Sequence, residues 1–209
     1  MLEQNIQQIK EQLGLVLLVA ATKGRTVEEI HEAISAGITI IGENYVKEAA
    51  EKHNQLAGKV AFHLLGHLQR NKVPKAVEIF DLIQTVDSLP LAQKINEECN
   101  KINKNMPVLI EVNIAREKNK TGCAPEEVEK LAAGISKLTQ LQLKGLMAMG
   151  PTLAVPEELR PYFKEMKIIF ERLQKEYNVS VLSMGMSESY RIAIEEGATM
   201  VRLGKKIFE

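Results

Sequence analysis

The amino-acid sequence predicts an α/β protein, a single (β/α)8 barrel of the TIM type with one helix before the first strand. Three observations lead to this prediction. Short apolar runs alternate with helix-patterned stretches about eight times, and they do so within 209 residues, which is enough for a compact barrel. The runs are continuous in Val, Ile and Leu, which is typical of strands buried on both faces of a parallel sheet. An open doubly wound sheet is the alternative, but no GxGxxG motif follows the first strand.

The predicted elements follow one another in a regular order. The N-terminal helix has apolar residues at helical spacing, namely Leu2, Ile6, Ile9 and Leu13. The strand candidates are LVLLVAAT, ITIIGEN, VAFHLLG, IFDLIQTV, PVLIEVN, LKGLMAMG, SVLSMGMS and TMVRLG. The helix after the first strand opens at Thr26, carries Glu29 at its third position and closes at Gly37. No linker or change of composition interrupts the pattern, so residues 1–209 are predicted to form one domain.

Composition excludes several classes of protein. Lys plus Arg and Asp plus Glu each count 27, and no basic segment suggests a nucleic-acid partner. The most apolar run, LGLVLLVAA, is about half as long as a membrane helix, and the polar start MLEQNIQQIKEQ is unlike a signal peptide. We therefore expect a cytoplasmic protein that contacts neither nucleic acid nor membrane. Cys99 and Cys123 lack the spacing of a disulfide framework or a zinc site, so we expect two free thiols and no metal.

Functional groups of a (β/α)8 barrel lie at the C-terminal ends of its strands. The first such end carries Lys23, which closes the apolar run in LLVAATKGR. Its ammonium is therefore expected where water is scarce and where its charge is costly. Two interpretations remain open. Lys23 is either a lysine whose stem lies on the barrel rim while its charge reaches water, or a desolvated amine that attacks a carbonyl group to form a Schiff base.

The ends of the last two predicted strands have features of a phosphate site. SMGMSES supplies serine hydroxyls and a glycine, Gly185, before a helix that is predicted to begin at ESYRIAIEEG. Gly204, in VRLG, offers a second amide that a ligand can approach closely. Ser187 is also consistent with a plain helix N-cap. A lysine amine facing a phosphate site suits a phosphorylated aldehyde, and both pyridoxal phosphate and a sugar phosphate fit that description.

Arg202 lies in the last predicted strand, where a buried arginine needs an acceptor. It either pairs with Glu111 or another barrel carboxylate, or donates to a pyridine nitrogen, which then stays unprotonated and makes the ring a poor electron sink. His63 is flanked by apolar residues and is predicted to be a core histidine, whereas His67 stands at a strand end. Neither histidine has the neighbours that predict a hydrolase triad.

Several long motifs, in order over almost the whole chain, resemble those of the pyridoxal phosphate homeostasis proteins, relatives of the alanine racemase barrel domain. They are LVAATKGR, IGENYVKEA, FHLLGHLQRNK, IEVNIAREKNKTG, GLMAMGP and LSMGMSESYRIAIEEGATMVRLGKKIF. The resemblance implies an alanine racemase N-terminal-domain-like barrel that binds pyridoxal 5'-phosphate. It also implies that Lys23 forms the Schiff base and that Arg202 contacts the pyridine nitrogen. The other cofactor contacts that it implies are Asn44, Ser187, Gly204 and the backbone of Ser183, Gly185 and Met186.

The resemblance leaves a choice between an enzyme and a carrier. The related racemases use a second base, a tyrosine from a C-terminal β domain, and this sequence ends after the eighth strand without such a domain. Tyr45 and Tyr190 lie near the expected mouth but fit packing roles. We therefore expect a monomer with no catalytic residue that stores, buffers or delivers pyridoxal phosphate in intracellular homeostasis, with apo-enzymes that use the cofactor as partners. A racemase of low activity and a Schiff-base aldolase for a sugar phosphate are the alternatives.

Overall fold

Eight parallel strands close into a barrel in the computed structural model of the protein, which describes residues 2–151 and 155–209. The strands are β1 (Leu17–Ala21), β2 (Ile40–Glu43), β3 (Ala61–Leu64), β4 (Leu82–Val86), β5 (Met106–Val112), β6 (Leu141–Ala148), β7 (Val181–Ser183) and β8 (Met200–Leu203). Each strand pairs with the next in chain order, and β1 pairs with β8, where Val19 lies opposite Arg202. The predicted TIM-type barrel is confirmed.

Helices alternate with the strands. They are α1 (Leu2–Leu13), α2 (Val27–Ser35), α3 (Val46–Leu56), α4 (Val73–Ile79), α5 (Leu89–Lys101), α6 (Val128–Ile135), α7 (Arg160–Glu176), α8 (Tyr190–Glu195) and α9 (Lys205–Phe208). The predicted N-terminal helix is confirmed as α1, which packs against α2 and α9 and buries Ile6, Ile9 and Leu13. Within the described ranges, no helix is both long enough and apolar enough to cross a membrane.

Two helix starts show how local sequence sets the boundaries. At α2 the predicted capping box forms, because the Glu29 N–H donates to the Thr26 hydroxyl at 3.2 Å and the Thr26 N–H donates to the Glu29 carboxylate at 2.8 Å. The helix predicted to start in ESYRIAIEEG begins there, at Tyr190, and its N-cap is Ser189 instead of Ser187. The Ser189 hydroxyl turns back to accept the Met186 N–H at 3.2 Å. An internal hydrogen bond therefore holds the loop after β7 before α8 begins.

The strands bury one face against the helices and the other inside the barrel. The main core lies between strands and helices, and its largest fully buried side chains include Phe62, Phe80, Phe163 and Phe170. Two smaller apolar clusters occupy alternate strand positions, one of Val19, Leu65 and Met200 and one of Leu82, Leu109 and Met147. The next positions on that same face carry buried polar residues, namely Gln84, Glu111, Ser183 and Arg202. The C-terminal end of the barrel interior is therefore polar.

Candidate functional site

Lys23 lies in a turn just beyond β1, and its side chain is exposed. The strand itself ends at Ala21, and Thr22 is the last buried residue of the apolar run. The expectation that this ammonium is held where water is scarce is therefore wrong. The physical reason is that the chain leaves the sheet before Lys23, and connecting turns run over the surface. The amine of Lys23 is accessible at the end of the barrel where the polar interior opens.

The loops after β7 and β8 meet, as the predicted phosphate site requires. The Ser187 hydroxyl accepts the backbone N–H of Lys206 at 3.4 Å. Gly204 lies beside the strand that leads to Lys23, since a Cβ atom at Gly204 would be 3.4 Å from the carbonyl oxygen of Ala21. Ser187, Gly204 and the Lys23 turn are thus brought to one end of the barrel.

The loop after β7 owes its shape to Gly185 and Ser189. Gly185 has a φ of +92°, and a Cβ atom there would lie 2.6 Å from the Cβ of Ala193, so a larger residue would strain the turn. The Gly185 carbonyl accepts the N–H of Arg202 at 3.1 Å, which fastens the loop to β8. Met186 exposes its side chain and uses its N–H within the loop, in the bond to Ser189. The structure therefore uses the Met186 amide to hold the loop.

Arg202 is buried inside the barrel and makes two charge-assisted hydrogen bonds. Its Nη1 donates to the Ser183 hydroxyl at 2.7 Å, and its Nη2 donates to the Ala148 carbonyl at 2.9 Å. Burial lowers the pKa of Arg202 to about 10, against the opposing effect of the charge on Glu111. No ion pair joins Arg202 to Glu111 or to another carboxylate of the described chain. A guanidinium has more N–H donors than these two bonds use, so Arg202 keeps donors for a ligand.

The Ser183 hydroxyl joins Arg202 to a buried polar chain that runs across the barrel. Ser183 donates to Oε1 of Gln84 at 2.7 Å, and the Gln84 amide nitrogen lies 3.1 Å from Nδ1 of His63. With the Gln84 amide in this orientation, its oxygen accepts from Ser183 and its nitrogen can only donate, so Nδ1 of His63 is the acceptor. Burial lowers the pKa of His63 to about 4, although Asp81 acts to raise it. His63 is thus the neutral core histidine that the sequence predicts.

Glu111 is a second buried polar group at this end of the barrel. Its Oε1 accepts the Thr121 hydroxyl at 2.7 Å, whereas Oε2 has no hydrogen-bond partner among the residues the structure describes. Burial raises the pKa of Glu111, and the bond from Thr121 partly opposes that rise. A buried acceptor without a partner costs free energy, so Glu111 offers an unused acceptor to a ligand or to water.

Asn44 follows β2 and is half-buried. It lines a pocket of about 300 Å³ whose other lining residues are Tyr45, Val46, Lys47, His67, Gln69 and Lys72. No hydrogen bond between described residues joins the Asn44 side chain to Lys23, Arg202 or the β7 loop. Asn44 is therefore a neighbour of the other predicted residues on the adjacent strand end, outside their hydrogen-bonded network.

Several buried polar residues at this end of the barrel were not predicted from the sequence. Gln84 is a single polar residue in the apolar run IFDLIQTV, and that interruption is its only sequence signal. Glu43 and Lys52 are both buried beside the Lys23 turn. Lys52 could not be found by its type, because a lysine on a helix pattern usually faces water.

The residues at this end fit a phosphorylated aldehyde that carries an aromatic nitrogen. Lys23 supplies an accessible primary amine, the group that bonds covalently to an aldehyde. Ser187 and Gly204 supply a hydroxyl and an amide without a side chain over it, which suit a phosphate. Arg202 supplies a buried group that only donates, which suits an acceptor nitrogen.

Comparisons with known proteins agree with this fit. Residues 1–208 match the family model described as the alanine racemase N-terminal domain. The pyridoxal phosphate homeostasis protein of Pasteurella multocida (strain Pm70) is 39% identical over 216 residues, which cover 99% of this chain and 91% of that protein. PipY of Synechococcus elongatus PCC7942, solved with pyridoxal phosphate bound, has a TM-score of 0.92 and 31% identity, with 100% of both chains covered.

An alanine racemase of Clostridium difficile 630 shares the fold with a TM-score of 0.78, but it is 18% identical and only 56% of it is covered. Its likeness extends to the barrel and no further. The match to the family model over nearly the whole chain and the high identity to the Pasteurella protein decide the assignment. This chain belongs to the pyridoxal phosphate homeostasis proteins, within the alanine racemase N-terminal-domain family.

Proposed function

We propose that this protein binds pyridoxal 5'-phosphate as a Schiff base on Lys23 and stores, buffers or delivers the cofactor without turning over a substrate. The observation that carries the proposal is the meeting of the Lys23 turn with Gly204 and Ser187 at the end of the barrel where Arg202 is buried. The pyridoxal phosphate in PipY, at 31% identity, supports the choice of cofactor.

Lys23 supplies the covalent link in this proposal. Its nitrogen adds to the aldehyde carbon, the carbon–oxygen bond breaks, and the oxygen leaves as water with both hydrogen atoms of the neutral amine. The step requires an amine that the aldehyde can reach, and the exposed position of Lys23 in the turn after β1 meets that requirement.

The phosphate and the ring take the remaining predicted residues. The Ser187 hydroxyl and the backbone amides of Gly204 and Gly185 bind the phosphate, and Ser183 acts through its hydrogen bond to Arg202. Arg202 donates to the pyridine nitrogen, and Asn44 and Met186 border the cofactor from the neighbouring loops. When bound, pyridoxal phosphate supplies an electron sink, which is weak as long as its ring nitrogen is unprotonated. The guanidinium of Arg202 neither takes a proton from the pyridine nitrogen nor readily gives one to it. Arg202 therefore favours storage of the cofactor over catalysis.

The positions of Tyr190 and Tyr45 also favour a carrier over a racemase. Racemisation needs a second base on the opposite face of the cofactor. Tyr190 is buried, and its hydroxyl donates to Gln12 of α1 at 2.6 Å and accepts from Arg191 at 3.3 Å. These bonds tie the phenol to the outer helices. Tyr45 is 66% exposed on the rim, and no side-chain hydrogen bond to another described residue orients its hydroxyl.

A titration of cofactor-free protein with pyridoxal phosphate tests the proposal. We expect a visible absorption band in the wild type and in Lys47→Ala, a nearby exposed lysine on α3, and no band in Lys23→Ala. A band of unchanged intensity in Lys23→Ala would refute the covalent role of this residue. A protein that takes up a sugar phosphate but no pyridoxal phosphate would favour the aldolase alternative.

The carrier role has its own test. We propose that the protein is a monomer that passes its cofactor to apo-enzymes in the cytoplasm. Loaded protein is expected to activate an apo-enzyme faster than the same concentration of free pyridoxal phosphate does. Racemisation of alanine or serine at the rate of a dedicated racemase would overturn the carrier role and favour an enzyme. Size-exclusion chromatography with light scattering measures the oligomeric state.

A further inference from the structure

A buried ionic cluster lies directly beneath the turn that carries Lys23. It consists of Glu43 at the end of β2 and of Glu48 and Lys52, which are one turn apart on α3. The Nζ atom of Lys52 donates to three oxygens, each at 2.7 Å: Oε1 of Glu43, Oε1 of Glu48 and the backbone carbonyl of Thr22. An ammonium has three N–H donors, so all of them are used.

The cluster holds the backbone on both sides of Lys23. On the N-terminal side, the carbonyl of Thr22 accepts from Lys52 and its hydroxyl donates to Oε1 of Glu43 at 2.5 Å. On the C-terminal side, the N–H of Gly24 donates to Oε1 of Glu48 at 2.6 Å. One lysine and two carboxylates thereby fix the peptide groups before and after Lys23, while the Lys23 side chain itself stays exposed.

Such a cluster is a costly way to support a surface turn. Glu43 is fully buried and Lys52 is 6% exposed, and taking both charges out of water costs several kcal/mol for each ion. Burial raises the pKa of Glu43 even though the bonds from Lys52 and Thr22 oppose the rise. This cost is consistent with a requirement for one defined backbone conformation at Lys23.

We infer that Glu43, Glu48 and Lys52 are positioning residues for Lys23, which they serve by restricting the backbone of the Thr22–Gly24 turn so that the amine meets the cofactor aldehyde in a productive orientation. The inference rests on the proposed function of Lys23. Glu43 and Lys52 act through the backbone of the turn, whereas Glu48 also acts through its charge on the ammonium of Lys23. Their effect is therefore expected in the rate of covalent attachment, while the phosphate contacts at Ser187 and Gly204 remain.

Kinetics of cofactor attachment test this inference. Lys52→Met removes the shared donor, and Glu43→Gln/Lys52→Met removes it without leaving a buried unpaired charge. The control is Lys104→Met, because Lys104 also donates to two backbone carbonyls, of Val77 and Phe80, each at 2.8 Å, but lies before β5 at the opposite end of the barrel. We expect the visible band to appear on the order of tenfold to a hundredfold more slowly in both Lys52 variants and at the wild-type rate in the control. Wild-type rates in both Lys52 variants would overturn the inference.

A readout without cofactor guards against loss of fold. Glu48→Ala leaves the buried pair of Glu43 and Lys52 in place and removes the acceptor of the Gly24 N–H together with one of the three acceptors of Lys52. We expect faster hydrogen exchange at the Gly24 amide in cofactor-free Glu48→Ala than in cofactor-free wild type, with unchanged exchange in β4 and β5. An unchanged rate of exchange at the Gly24 amide would contradict a role of Glu48 in restricting this turn.

Failure of the proposed function looks different from failure of this inference. If wild-type protein forms no visible band, or if Lys23→Ala forms the same band, Lys23 is not the attachment site and the positioning role falls with it. If the band depends on Lys23 but the Lys52 variants form it at the wild-type rate, only the positioning role is refuted. Borohydride reduction followed by peptide mapping identifies the modified lysine in each case.

Discussion

Acid is expected to destabilise the protein through His63, whose side chain is buried. Burial lowers the pKa of His63 from 6.5 to about 4. Between these values the unfolded chain takes up a proton on this side chain and the folded chain does not. The stability that neutral His63 provides is therefore fully present above about pH 6.5 and is lost as the pH falls towards about 4.

The magnitude follows from the pKa difference. A shift from 6.5 to about 4, at about 1.4 kcal/mol for each pKa unit, corresponds to roughly 3 kcal/mol of unfolding free energy. Total stabilities of domains are on the order of 5–15 kcal/mol, so a loss of this size in acid would remove a large part of the stability. Protonation at Nδ1 would also remove the acceptor of Gln84, which orients Ser183 and through it Arg202. Acid is thus expected to loosen the polar interior that the cofactor would face.

Urea unfolding followed by circular dichroism, between about pH 7 and about pH 4, checks this prediction. In His63→Gln the new amide oxygen still accepts from Gln84 and nothing titrates at this position. We expect the wild type to lose about 3 kcal/mol more than His63→Gln over that range. The control is His31→Gln on α2, which should follow the wild type. Equal losses in the wild type and His63→Gln would refute the buried neutral histidine.

Three further predictions follow from single contacts. Burial raises the pKa of the Cys99 thiol to about 11 and that of the Cys123 thiol to about 12. Ellman's reagent near neutral pH should therefore label neither cysteine until the protein is unfolded, and rapid labelling of the native protein would contradict this. Gly185→Ala should cost about 1–3 kcal/mol of stability and weaken cofactor binding, because φ is +92° and the added Cβ would lie 2.6 Å from the Cβ of Ala193. An unchanged melting temperature together with an unchanged dissociation constant for the cofactor would rule out a strained turn. Arg202→Met should cost about 1–3 kcal/mol of stability for each of the two hydrogen bonds that Arg202 makes, to Ser183 and Ala148, whereas Arg202→Lys should retain part of that stability. Thermal unfolding compares the two variants. Equal losses of stability would argue against a contribution from the hydrogen bonds.

The pattern of the sequence was sufficient to predict the barrel and to place the candidate site at one end of it. Apolar runs of strand length separated by helix-patterned segments are local properties, and a parallel sheet closed by such units places every strand end on one rim. Gly185, Gly204 and Ser187, the residues of the proposed phosphate site, could be selected because their loops follow the last two strands. Lys23 was recognisable for the same reason, at the end of the first strand.

Other features depended on contacts between distant parts of the chain. Lys23 is exposed and Lys52 is buried, which is the reverse of what their sequence settings suggest, because exposure depends on where a strand ends and on which helix packs against the turn. The partners of Arg202 could not be predicted from the sequence either, since a buried guanidinium can donate to any suitable acceptor nearby.

The sequence by itself thus determined the barrel, the order of its strands and which residues follow the strand ends at the candidate site. The tertiary structure alone decided which of those residues touch. The bond between Ser183 and Gln84 joins residues 99 positions apart, and the bond between Arg202 and Ala148 joins residues 54 positions apart. Such contacts exist only when the barrel has closed, because closure is what brings the inward faces of β4, β6, β7 and β8 within hydrogen-bonding distance of one another.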